Sequence, residues 1–152
     1  MELRNWLLFI HIVAAFTWVG GSILFQTLGI RAARIADPAR SSDGARTLAF
    51  AGPRVVMPAA AVTLAAGIGL VLESEVWEFT MGWIAIAVVV VLATATLVFG
   101  YYLPRARKVI AMFDGQGPSA ELVAAWQRVV AISMLNTLAL IAVIWLMVFK
   151  PG

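Results

Sequence analysis

The stretch Thr80-Met-Gly-Trp-Ile-Ala-Ile-Ala-Val-Val-Val-Val-Leu-Ala-Thr-Ala-Thr-Leu-Val-Phe-Gly-Tyr-Tyr-Leu103 runs for 24 residues without an Asp, Glu, Lys or Arg. About 20 consecutive apolar residues cross the hydrocarbon core of a bilayer as a helix, so this segment alone places the chain in a membrane. Three further windows meet the same criterion, residues 5–30, 54–72 and 129–149, and only Arg54, at the edge of its window, is charged. A chain of 152 residues that is 62% hydrophobic and 12% charged has too little polar surface to cover a water-soluble globule.

Within lipid every backbone polar group must be paired inside the protein, which leaves helices or closed barrels. No segment alternates apolar and polar residues as barrel strands do. The reading is therefore all-α: one integral membrane domain over residues 1–152, an antiparallel four-transmembrane-helix bundle. The first span, at about 26 residues, is too long for the apolar region of a secretory leader and reads as a permanent helix. There is no cysteine, which removes disulfides, thiolate metal sites and cysteine nucleophiles together.

The basic residues set the expected orientation. Arg31, Arg34, Arg40, Arg46 and Arg54 flank the first connection, and Arg105, Arg107, Lys108 and Arg128 flank the third, nine of the eleven Lys and Arg. The second connection carries Glu73, Glu75 and Glu78 and no basic residue. Positive charge is retained on the cytoplasmic side, so loops 31–54 and 104–128 are expected in the cytoplasm with both termini outside, in a bacterial inner membrane. Trp6, Trp77, Trp83 and Trp145 fall at the predicted outer boundary and Tyr101, Tyr102 and Trp126 near the inner one, as aromatic belts should. The net charge of +3 is accounted for by topology, and no recognition module points to nucleic acid. Residues 38–52 and 104–127 can form amphipathic helix extensions along the headgroups, the second broken at Asp114-Gly-Gln-Gly-Pro118.

With no carboxylate in any span, composition gives no support to a carboxylate-driven pump or transporter. His11, the single histidine, lies about one and a half turns inside the first helix. Leu7, Leu8, Ala14 and Ala15 flank it on its face, with Trp18 two turns on, so small side chains leave room beside the imidazole. Two uses are open: a neutral interhelical hydrogen bond, or ligation of a cofactor. One His, no Cys and no intramembrane carboxylate cannot build a zinc or copper enzyme site, even with Met81 and Met147 at the span ends. Haem asks less, because the macrocycle gives four nitrogens and a single axial His suffices.

In the second helix Ala61, Ala65 and Gly69 recur every four residues beside Ala66 and Gly67, a face suited to close helix packing or a flat ligand. By depth Gly67 and Gly69 fall level with His11 and leave a candidate gap opposite the imidazole. Pro58 is expected to kink this helix, and Gly20, Gly21, Gln26, Ser133, Asn136 and Thr137 supply a mildly polar inner half, read first as interhelical hydrogen bonds and second as a quinone or substrate pocket. No P-loop, dinucleotide fingerprint or nucleophile–base pair is present.

The segment Trp6-Leu-Leu-Phe-Ile-His11-Ile-Val-Ala-Ala-Phe-Thr-Trp18, with Gly20-Gly21, resembles the first helix of the HemJ-type protoporphyrinogen oxidases and related CopD-like membrane domains. The likeness continues through Arg54-Val-Val-Met-Pro58-Ala59, Thr63, Gly67, Gly82-Trp83 and Lys150-Pro151. It implies a four-helix membrane fold, a functional His at His11 and a haem b cofactor. Where the oxidases place a Lys, commonly preceded by His, after the Gly-Trp, this chain has Ile84-Ala85-Ile86-Ala87. Asn136 is kept without the acidic residue and Pro that follow it in the oxidases, and no Pro-Arg follows the first helix's second aromatic. The resemblance thus implies the wider superfamily rather than the oxidase activity. Three functions are compatible: a b-type haem redox protein with His11 as axial ligand and Gly67 and Gly69 beside the cofactor, an accessory or scaffold subunit packing on other membrane proteins or on further copies of itself, and copper handling, for which ligands are short.

Overall fold

The computed structural model describes residues 2–34, 38–116 and 119–150, with side chains along most of that length. The described residues are helical apart from short connections. Helix α1 spans Leu3–Ala33, α2 Pro38–Leu72 and α3 Gly82–Leu97; a π-helical turn over Val98–Tyr102 leads directly into α4, Leu103–Gln116, and α5 spans Ala120–Phe149. Four stretches are long and apolar enough to cross a bilayer: Leu3–Arg31, Phe50–Leu72, Gly82–Val109 and Ala124–Phe149. These overlap the four windows read from hydropathy, and the protein is a four-helix membrane bundle.

The helices extend beyond the expected boundaries at the basic end. Residues 38–52, expected as an extension beside the membrane, are continuous with the second span in one 35-residue helix. Continuing a formed helix adds one hydrogen bond per residue, whereas a separate helix needs a new nucleus. The arginines at 40 and 46 have no described side chains, and the expected break at 114–118 lies partly outside the described residues, with α4 helical up to Gln116. Arg54 sits inside the second span, where its Nη1 donates to the Phe50 carbonyl at 3.0 Å and its guanidinium lies 3.6 Å from the Phe50 ring centroid. Helical side chains point toward the N-terminus, so Arg54 reaches back toward the basic end of the span.

Helix α1 lies against α2 and α5, α3 against α5, and α4 touches both α2 and α5. The Cα atoms of α2 and α3 stay more than 8 Å apart throughout. The ring of helices therefore closes through α4, at the basic end. At the opposite end the second connection meets both termini. Lys150 Nζ lies 4.4 Å from the Trp77 ring centroid, Arg4 Cζ 5.2 Å from it, and Trp83 packs edge-on at 5.9 Å. A cation over an indole face is attracted by the ring quadrupole, and here it holds the chain ends to the hairpin.

The π turn decides which face of the third span is buried. Ile84, Ala87, Val91 and Thr94 are buried at alternating spacings of three and four. Continued unbroken, that spacing would reach Tyr101, Arg105 and Lys108. The turn closes with the Leu103 N–H bonding to the Val98 carbonyl, one residue more than an α-helical turn, so the pattern moves to Tyr102, Ala106 and Val109. Ala106 and Val109 are buried with Leu122, Trp126, Val129 and Val130, and Tyr102 packs against them. Arg105 and Lys108 face outward. The turn thus keeps two positive charges out of the bundle, where they would be costly.

Candidate functional site around His11

Helices α1 and α2 run antiparallel through small residues. Gly21 approaches Val56, Gly67 seats His11 and Gly69 seats Leu7, while Gly29 meets Trp126 of α5 first and Leu48 beyond it. Without side chains at these points the backbones come close, the usual basis of packing where lipid is as apolar as the helix faces. The buried face of α2 is Ala59, Thr63, Ala66 and Leu70, while Ala61 and Ala65 are exposed. Of the face expected to pack, Ala66, Gly67 and Gly69 lie at the seam, whereas Ala61 and Ala65 are left on the outside because the helix turns its Thr63–Ala66–Leu70 side inward.

His11 Nδ1 lies 2.8 Å from the Thr63 carbonyl oxygen. A carbonyl only accepts, so Nδ1 carries a proton and donates it, which in the neutral form of the ring puts the lone pair on Nε2. A Cβ added at Gly67 would lie 3.1 Å from His11 Cε1 and 3.2 Å from Nδ1, with no other ring atom within 4 Å. The Nδ1–Cε1 edge thus rests on the bare Gly67 backbone, and Nε2 is turned away from it. Nε2 makes no hydrogen bond to a described residue. His11 as a whole is half-buried, and of its near neighbours on α1 only Ala14 is buried.

The structure brings His11 and Gly67 together, with Gly69 one step farther along, as their depths imply. It fills the space differently. The gap expected opposite the imidazole is taken up by the imidazole itself at Gly67 and by Leu7 at Gly69, whose methyls lie 3.3 Å from a Cβ position there. The two glycines serve the α1–α2 contact. Thr63 is the partner that hydropathy does not reveal, since its contribution is a main-chain oxygen; its own hydroxyl donates to the Ala59 carbonyl at 2.8 Å. Among the described residues no three His, Cys, Asp or Glu are grouped to hold a metal ion.

A second polar cluster lies deeper, between α1 and α5. Gln26 Nε2 reaches the Ser133 carbonyl at 3.0 Å, Ser133 Oγ at 2.8 Å and Thr137 Oγ1 at 2.6 Å. These are the interhelical hydrogen bonds expected of the inner-half polar residues. Asn136 differs, because its Oδ1 is buried with no hydrogen-bond partner among the described residues. Nearer the basic end, Trp126 Nε1 donates to the Gly29 carbonyl at 3.1 Å, locking α5 to α1.

A family pattern described as predicted integral membrane protein (DUF2269) matches residues 5–151. The chain belongs to that family. The match covers all four spans and both polar clusters, so the family description and the four-span architecture agree. No curated protein and no solved structure matches the chain.

Proposed function

We propose that this membrane protein is a b-type haem-binding redox protein in which His11 is an axial ligand through Nε2. The observation that carries the reading is the 2.8 Å contact between His11 Nδ1 and the Thr63 carbonyl. Metal-bound histidines almost always donate their second ring N–H to a carbonyl or carboxylate, which fixes the tautomer and raises the basicity of the ligating nitrogen. Here the Nδ1 contact selects, for the neutral ring, the tautomer with its lone pair on Nε2, which has no described partner, and this fits a metal ligand. The likeness of the Trp6–Trp18 segment to HemJ-type and CopD-like proteins supports the same assignment. When bound, haem would supply a one-electron iron couple; the chain's own part is to present one imidazole from the α1–α2 helix pair and hold its orientation. Gly67 and Gly69 act by bringing α1 against α2, and His11 is the residue that would hold the cofactor.

The same reading places the basic connections, 31–54 and 104–128, in the cytoplasm and both termini outside a bacterial inner membrane, from the distribution of Lys and Arg. Because the chain has no cysteine, single replacements report sidedness without background. Glu75→Cys should react with an impermeant maleimide on intact cells and Met112→Cys only after permeabilisation; the reverse pattern would invert the orientation.

The absorption spectrum of protein purified in mild detergent tests the cofactor. A Soret band is expected in the native protein and its loss or displacement in His11→Ala, which should still insert at normal levels because removing a polar group eases partitioning. Full haem occupancy with an unchanged spectrum in His11→Ala would end the ligand assignment. Native protein without haem, after expression with haem supplied, would leave the accessory-subunit reading.

A further inference from the structure

At the basic end a groove of about 210 Å³ runs between the end of α1 and the start of α5. Ile30, Trp126, Val130, Ala131 and Met134 form its apolar wall, and Arg34 and Gln127 stand at its mouth. We propose that this groove is a binding site for an anionic phospholipid, with one acyl chain along the apolar wall and the phosphate at Arg34.

The argument rests on charge and position. Arg34 is exposed and forms no ion pair among the described residues. It stands one turn beyond Ile30, at the level where a span ends and headgroups begin. A guanidinium offers planar paired donors that match two phosphate oxygens, and the Gln127 amide adds a neutral donor beside it. Below them the wall turns apolar at once, with Met134 about half exposed at 47%. The indole N–H of Trp126, the polar atom that could have broken the apolar wall, is taken up by the Gly29 carbonyl. A cationic mouth above an apolar cleft between two spans complements a lipid that is anionic at its head and apolar below it, and pockets of this kind select acidic lipids. Exposed Arg31 and Arg128 add positive potential at the same end. A neutral helix from a partner would leave Arg34 without a counter-charge, so the lipid is the better complement.

The test uses full-length protein purified in mild detergent, with native mass spectrometry read after adding phosphatidylglycerol or phosphatidylcholine of identical acyl chains. Each basic group near the surface is worth roughly 1 kcal/mol toward an anionic lipid, so Arg34 alone should favour retention of phosphatidylglycerol over phosphatidylcholine by about fivefold, with Arg31 and Arg128 adding to it. Arg34→Gln should lower that preference by about fivefold while leaving some of each lipid bound. Ala131→Trp, at an exposed position, should fill the groove and reduce retention of both. Equal retention of the two lipids by the native protein, or an unchanged preference in Arg34→Gln, would overturn the proposal. So would Ala131→Trp that altered the protein's oligomeric mass but not its lipid retention, since the groove would then be a contact between copies. If Ala131→Trp does not fold, Arg34→Gln, at the helix end, decides the matter alone.

Discussion

Replacing Gly67 by Ala probes the seat of the imidazole directly. The new Cβ would stand 3.1 Å from His11 Cε1 and 3.2 Å from Nδ1, closer than ordinary van der Waals contact. The ring cannot simply withdraw, because its Nδ1 is held 2.8 Å from the Thr63 carbonyl on the same helix. Overpacking of this kind typically costs about 1–3 kcal/mol. Against it stands the higher helix propensity of Ala, worth up to about 1 kcal/mol. Gly20→Ala is the control, since a Cβ there meets nothing within 4 Å and should only gain. The propensity difference cancels between the two variants, so Gly67→Ala should be less stable than Gly20→Ala by about 1–3 kcal/mol, about 5- to 150-fold in the folding equilibrium. Gly69→Ala should fall between them, because the atoms it meets are the terminal methyls of Leu7, which can rotate aside. Equilibrium unfolding in mixed micelles, followed by near-ultraviolet circular dichroism, measures all three. Equal stability of Gly67→Ala and Gly20→Ala would show that the imidazole is not seated on Gly67, and the tautomer argument would fall with it.

The remaining predictions concern the bundle interior. Gln26→Leu removes the donor that joins α1 to Ser133 and Thr137, and should cost about 0.6 to 1.7 kcal/mol on the scale of membrane hydrogen bonds, read from the same unfolding curves. Asn136→Leu removes a buried oxygen that has no partner, so stability should hold or rise by about 1 kcal/mol; a clear loss in thermal unfolding would mean that Oδ1 has a partner in the native membrane. Ala87→Lys restores the type of residue that the oxidases carry, but Ala87 is 3% exposed on the inner face of α3. It should cost about 2.5–3.5 kcal/mol on insertion and yield no porphyrinogen oxidation, measured by membrane-fraction abundance and a fluorimetric porphyrin assay.

The four spans were legible because hydropathy over about 20 residues is a property of composition, and the bilayer leaves no other way to satisfy so much apolar backbone. His11 stood out for the same reason, as the one imidazole in a chain whose spans carry almost no charge. Its partner was not legible. The Thr63 oxygen is main chain, and only the antiparallel register of α1 on α2 brings it to Nδ1. The glycines illustrate the limit: their depth was readable from a rise of about 1.5 Å per residue, but whether the space they leave is empty depends on the side chain opposite. At Gly67 that side chain is His11 itself, and at Gly69 it is Leu7. The four-residue spacing held at Gly69 but misled at Ala61 and Ala65, because small residues mark a possible seam without fixing the rotation of the helix, and burial of Thr63, Ala66 and Leu70 turns those two alanines outward. The π turn at Val98–Tyr102 was likewise hidden, since no local propensity demands it. It arises because one helix must bury Ile84, Ala87, Val91 and Thr94 and still keep Arg105 and Lys108 outside, and a one-residue slip satisfies both. Sequence alone determined how often the chain crosses the bilayer and where its charges gather. Tertiary structure decided which faces meet, because in lipid the helix seams are chosen by side-chain fit and hydrogen bonding rather than by hydrophobicity.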